Sequence, residues 1–152
     1  MGDRNHWAWS THPTADHIQT LNGGSGWWTC HADTRHGDLA IVYLTTPMRH
    51  LAYLVKATTD AVIAETDPSN PSDWAGYSSC GFQTITPFAH PLTLAEMKAD
   101  RILAAGFSAL RGNFQMNSYR VPIDIWNRVL TQLVAANPGT KSVVGSANRP
   151  GS

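Results

Sequence analysis

Leu39–Leu44 reads Leu-Ala-Ile-Val-Tyr-Leu, six residues without a charge. A strand that lies half in water alternates apolar and polar residues; this run does not, so it predicts a strand buried inside a sheet. A turn around Pro47 (Thr45–Arg49) leads to Leu51–Thr58 (LAYLVKAT), a second strand placed to be its hairpin partner. The chain has 152 residues, 42% of them hydrophobic and 14% charged, which suits one globular domain with one good core.

The remaining elements follow from periodicity and punctuation. His6–Ser10 (HWAWS) alternates aromatic and small residues and predicts a first strand with Trp7 and Trp9 on one face. Thr11–Leu21 reads as a short helix, stopped by Asn22-Gly23-Gly24-Ser25-Gly26. Gly26–His31 (GWWTCH) is extended, residues 65–73 form a polar loop with two prolines, and Gly81–Thr86 alternates as a strand. A helix opens at Pro91–Glu96, where Thr93 and Glu96 have capping-box spacing, and closes at Ala105-Gly106. A strand is expected over Ser118–Val121. Trp126, Val129, Leu130, Leu133 and Val134 then trace one apolar stripe of a helix ended by Asn137-Pro138-Gly139. Residues 1–139 read as one domain, and the Gly/Ser-rich residues 140–152 as a flexible tail or linker. The class is α+β, with a small curved sheet or open barrel.

Charge narrows the partners. Lys and Arg together number 11 and so do Asp and Glu, so the formal charge is zero. Strong nonspecific attraction to phosphate is not implied; nucleic-acid binding would need a local patch or a base pocket. The first ten residues lack the apolar core of a signal peptide, and no apolar run approaches the ~20 residues of a membrane helix. The expected setting is cytoplasmic, with Cys30 and Cys80 reduced.

No catalytic fingerprint is present. Cys30 and His31 are adjacent on an extended chain and point to opposite faces, so they do not form a nucleophile pair. None of the seven histidines has metal-ligand spacing. No cofactor or metal is expected, and the chain does not read as an enzyme. The six tryptophans are more informative. Trp7, Trp9 and Trp126 lie on periodic faces and suit the core. Trp27 and Trp28 must face opposite ways, so one can enter the core while the other lines a cavity. Trp74, in Asp-Trp-Ala-Gly-Tyr with Tyr77, follows the proline-rich loop and suits either role. Ser10, Thr11, Asn113 and Gln115 could bond a base edge, yet each suits a cap or turn equally well.

Three stretches together resemble the EVE domain, a branch of the PUA-like superfamily that includes the YTH domains. They are GWWTCHADTRHGDLAIVYLTT (26–46), LAYLVKATTDA with DWAGY (51–61 and 73–77), and PLTLAEMKAD with ALRGNFQMNSYRVPIDIW (91–100 and 109–126). The resemblance implies a PUA-like curved mixed β-sheet or pseudo-barrel flanked by helices. It implies nucleic-acid binding, with one flipped modified base held in an aromatic cage. A methylated or hydroxymethylated cytosine in DNA is favoured over a modified base in RNA, and a small hydrolase on a related fold is the further alternative. In prokaryotes such domains are often joined to nuclease modules that cut modified DNA. By this resemblance Trp28 and Trp74 are the cage walls, with Tyr77 as a substitute or third wall. Ser10, Thr11, Asn113 and Gln115 make base-edge contacts, and Arg35, Lys98 and Arg111 are the phosphate ligands. Many EVE domains carry a lysine before the serine of the first strand; here Trp9 occupies that place.

Overall fold

The computed structural model describes residues 4–63 and 78–149. Its strands are β1 (His6–Thr11), β2 (Ser25–Thr29), β3 (Leu39–Leu44), β4 (His50–Ala57), β5 (Val62–Ile63), β6 (Ser78–Thr93) and β7 (Ser118–Arg120). The helices are α1 (Ala15–Asn22), α2 (Leu94–Ala99), α3 (Arg101–Gly106), α4 (Ile123–Ala136) and α5 (Lys141–Asn148). All seven strands join one sheet, in the order β2-β6-β4-β3-β1-β7, with β5 paired to β6. Among the described strands only β1 and β3 pair in parallel, His6 opposite Leu39 through Thr11 opposite Leu44.

Every residue of β3 is buried, because both faces of the central strands are covered. Successive side chains of β1 part company there. Ala8 joins Leu39, Ile41 and Tyr43 in a cluster covered by α2 to α5, here termed the helix face. Trp7 and Trp9 join Ala40, Val42 and Leu44 in a second cluster, closed by Leu21 of α1 and by Phe82, with Trp28 of β2 packed against it; this is the indole face. Since β2 belongs to the same sheet yet packs over β1 and β3, the sheet curls into a mixed half-barrel with flanking helices. This is the α+β, PUA-like architecture expected above.

Local chemistry explains where the observed elements depart from expectation. Thr11 belongs to β1; the first helix starts only at Ala15, where the Thr14 hydroxyl accepts the His17 amide. β6 is far longer than Gly81–Thr86, and its prolines do not end it. A register shift lets Pro87 sit opposite Tyr53 while Leu92 sits opposite Leu51, so the irregular stretch absorbs residues that cannot donate. The expected single helix from Pro91 to Gly106 is two. The capping box forms as expected, but Asp100 is extended (φ −87°, ψ 118°) and starts α3 by accepting the Ile102 and Leu103 amides. The same carboxylate receives Arg128 from α4 at 2.8–3.0 Å and Gln132 at 2.6 Å. The hydrogen bonds from Arg128 and the Leu103 amide hold it well below the usual carboxylate range.

The largest departure concerns the tail. Lys141–Asn148 are helical rather than loose, and Val144 is buried in the helix-face cluster. The indole of Trp126 donates to Asn148 Oδ1 at 2.8 Å, and Arg4 donates to the Ala147 carbonyl at 2.6 Å. A single buried valine in a Gly/Ser-rich helix leaves almost no periodic signal, which is why composition alone reads as linker.

Candidate functional site

The cleft lies where β1 and β3 end. Being parallel, they release their chains at the same edge: Thr11-His12 from β1 and Thr45-Thr46 from β3. The cleft has a volume of about 670 Å³ and is completed by α1, β2 and the segment 113–117. This is within the range of small-molecule and cofactor sites. It joins the two layers of the fold, since Ser10 bonds toward the helix face and Thr11 toward α1.

Ser10 is almost buried, and its Oγ donates to the Phe114 carbonyl at 2.9 Å. Its amide donates to the Asn117 carbonyl at 3.0 Å. These bonds hold the 113–117 segment against the strand end. The segment turns sharply: Asn113 (φ 51°) and Phe114 (φ 59°) are both left-handed. A bulky residue there costs about 1–3 kcal/mol and needs compensation. Phe114 finds it on the helix face, stacked on Tyr43 at 3.9 Å and edge-on to Phe107 and Tyr119. With Phe114 pinned inward, Asn113 and Gln115 on either side are exposed and line the cleft.

Thr11 Oγ1 lies 3.0 Å from His17 Nδ1, which also lies 2.8 Å from the His12 carbonyl. A carbonyl only accepts, so Nδ1 carries the ring proton, and in the neutral ring Nε2 is an acceptor. His12 Nδ1 is 3.0 Å from Thr45 Oγ1, which ties α1 and the two strand ends together. The ring of Trp28 is tilted against His17 at 5.2 Å and meets Phe82 edge-on at 5.4 Å. It is half-buried, with one side in the indole face and the rest on the cleft.

Of the residues expected to touch a base, Ser10, Thr11, Trp28, Asn113 and Gln115 therefore meet at one cleft. Trp74 and Tyr77 lie outside the described residues. The three cations expected to hold phosphate do not line the cleft. Lys98 stands on α2, on the helix-covered side. Arg111 is exposed on the 3-10 turn Ser108–Gly112, just before the cleft segment. Arg35 precedes β3, at the end of β1 remote from Ser10, where its amide donates to Asp38 and its guanidinium to the Ala32 and Thr34 carbonyls. Trp9 is core, 1% exposed, and does not line the cleft. Sequence reasoning missed His12, His17 and Thr45. Their only sequence signal was nearness to the end of an apolar strand.

No protein-family model and no curated protein matches the sequence. Solved structures do. A Pseudomonas syringae protein superposes with a TM-score of 0.70 at 18% identity, over 84% of this chain and 99% of that one. The human THYN1 protein, crystallised in complex with DNA containing 5-methylcytosine, gives 0.64 at 17% identity, over 85% and 97%. An ASCH protein of Zymomonas mobilis is more distant, at 0.56 and 12% identity, over 87% and 99%. Likeness at such low identity speaks to architecture, and on that level it is plain: the chain shares with these proteins a curled mixed sheet flanked by helices, a PUA-like α+β fold.

Proposed function

We propose that this protein is a nucleic-acid-binding module whose cleft captures one flipped, modified base, a methylated or hydroxymethylated cytosine in DNA. The observation that carries this reading is convergence. Ser10 and Thr11, Trp28, and Asn113 with Gln115 come from three distant chain segments and line one cleft. The complex of a like-folded human protein with 5-methylcytosine DNA supports the same choice of ligand.

The energetics are balanced. Extruding a base costs a few kcal/mol. Stacking on an indole returns about 1–3 kcal/mol, and a methyl group in apolar contact adds roughly 0.8 kcal/mol. Trp28 supplies one stacking wall, and Trp74 with Tyr77 are the proposed opposite side of the cage. Selection then falls to hydrogen bonds. The Asn113 and Gln115 amides offer both donors and acceptors. When its ring is neutral, with the proton at Nδ1, His17 offers Nε2 as an acceptor. An exocyclic amine satisfies that atom and a carbonyl does not, which favours cytosine over thymine.

Phosphate contact is peripheral in this reading. Arg111, beside the cleft segment, is the nearest of the three expected cations in sequence; Arg35 and Lys98 would serve only a longer strand. The alternative, a small hydrolase, calls for a lysine, acid or threonine converging on this cavity; the described lining holds Thr11, Thr20, Thr29, Thr45 and Thr46 but neither a lysine nor an acid. In a modification-dependent restriction system the module would supply recognition, and a nuclease partner the cutting.

The test is a binding screen with oligonucleotides that differ in one base only: cytosine, 5-methylcytosine, 5-hydroxymethylcytosine and thymine, in DNA and in RNA. Tightest binding to a modified cytosine in DNA is expected, with a gentle salt dependence. His17→Leu should erase the preference for 5-methylcytosine over thymine. A preference for RNA would point to a 2′-hydroxyl contact. Equal affinity for all four bases would refute the reading.

A further inference from the structure

The cleft uses Trp28 and leaves its chain neighbour unexplained. Trp27 is 50% exposed. It is nevertheless held in place. Its Nε1 donates to Ser79 Oγ at 2.8 Å. Its benzo ring leans over Gly81, the residue paired with it across β2 and β6. A β-carbon at Gly81 would lie 3.3 Å from two carbons of that ring and 2.6 Å from Thr58 Oγ1. The bare strand is what lets the indole rest there.

Beside Trp27 opens a second hollow of about 570 Å³, walled by the backbone of residues 23–26 and by Thr58 and Gln83. Gly24 adopts φ +96°, a conformation other residues rarely take, and no atom crowds its vacant side-chain position. The described walls carry no charge. They offer flat backbone, one fixed indole and room for a planar ring. Trp27 borders this hollow and the cleft alike, so a ligand that fills the cleft and continues beyond it must pass over this ring.

We propose that Trp27 and its glycine floor form a second aromatic subsite, which stacks the base adjacent to the one in the cleft. The proposal rests on the cleft being a base-binding site. The indole N–H is already engaged by Ser79, so the subsite recognises a π-face and not a particular base edge. It should accept any neighbouring base and contribute affinity without sequence preference.

The test uses a short DNA strand with a single 5-methylcytosine, the same strand with abasic sites on both sides of it, and the 5-methylcytosine nucleoside alone. Trp27→Ala should weaken binding of the intact strand about tenfold, the order of one lost stacked base. The loss on the abasic strand and on the nucleoside should be several-fold smaller, and Trp27→Phe should recover most of the loss on the intact strand. Equal binding of the intact strand by the wild type and Trp27→Ala overturns the subsite, as does an equal loss on the abasic strand. A wild type that ignores methylation removes the cleft reading itself, and this proposal with it.

Discussion

The helix face of this sheet buries the larger set of residues, and the two faces treat aromatic rings differently. On the helix face the phenyl and phenol rings pack on one another, Tyr43 stacked on Phe114 with Phe107 and Tyr119 edge-on to it, while Trp126 reaches polar groups at Asn148 and His6. On the indole face the rings are engaged with polar or ionisable groups. Trp7 donates to buried Asp38 at 2.9 Å, stacks on His31 and lies beneath the Arg120 guanidinium. Trp28 leans on His17. Trp9 is enclosed with its Nε1 unpaired among the described residues. One face is therefore a stability face. The other carries the polar contacts of Trp7 and Trp28, and the cleft opens at its margin.

Substitutions on each face can break this division. The largest effect should come from Trp126→Ala on the helix face, which removes a fully buried indole and its bond to Asn148. A loss of about 3–5 kcal/mol in a denaturant titration is expected. Trp28→Ala should be the mirror case: binding to modified DNA is abolished, while the domain still melts cooperatively at a temperature much nearer the wild type. If Trp28→Ala unfolds the chain as readily as Trp126→Ala, the two faces do not differ as described.

Within the indole face, Trp7→Phe and Trp9→Phe remove similar volumes but opposite polar accounts. Asp38 accepts from the Asn5 and Arg35 amides as well as from Trp7. Removing the indole donor leaves that buried carboxylate short of a partner, at roughly 1–3 kcal/mol. Trp9→Phe removes a donor that has no acceptor, so its packing loss is partly offset and its cost should be smaller. Thermal melts of the two variants side by side would check the order.

The smallest effect concerns Asp100, which joins α3 to α4. Its folded carboxyl is held below the ordinary range, so its stabilisation is complete above that range and lost as pH falls through the folded value. Asp100→Asn should lower the Tm near neutral pH, and the gap to wild type should narrow on acidification toward about pH 3. A gap that stays constant with pH would make the Arg128 contact incidental.

How much of this was legible in the sequence differs by the range of the interactions. The apolar run of β3, the stripe of α4 and the capping box at Thr93 are local patterns, and the structure contains all three. The break at Asp100 depends on Arg128, a partner on a different helix, and no window around residue 100 contains it. The true length of β6 depends on a register shift that only its neighbour β4 defines. Ser10, Thr11, Asn113 and Gln115 read individually as caps or turn residues, and a resemblance rather than periodicity joined them. His12 and His17 were passed over because a histidine acquires meaning from what its ring nitrogens reach.

The left-handed turn at Phe114 has one more consequence. The loop that carries Asn113 and Gln115 is clamped from behind by a ring stack and in front by Ser10, so the pocket's rim is already set before any ligand arrives. Under the proposed capture of a flipped base, association should then be paced by the nucleic acid, at the rate a base swings out of its helix, and a mismatch opposite the modified base should speed capture far more than it slows escape.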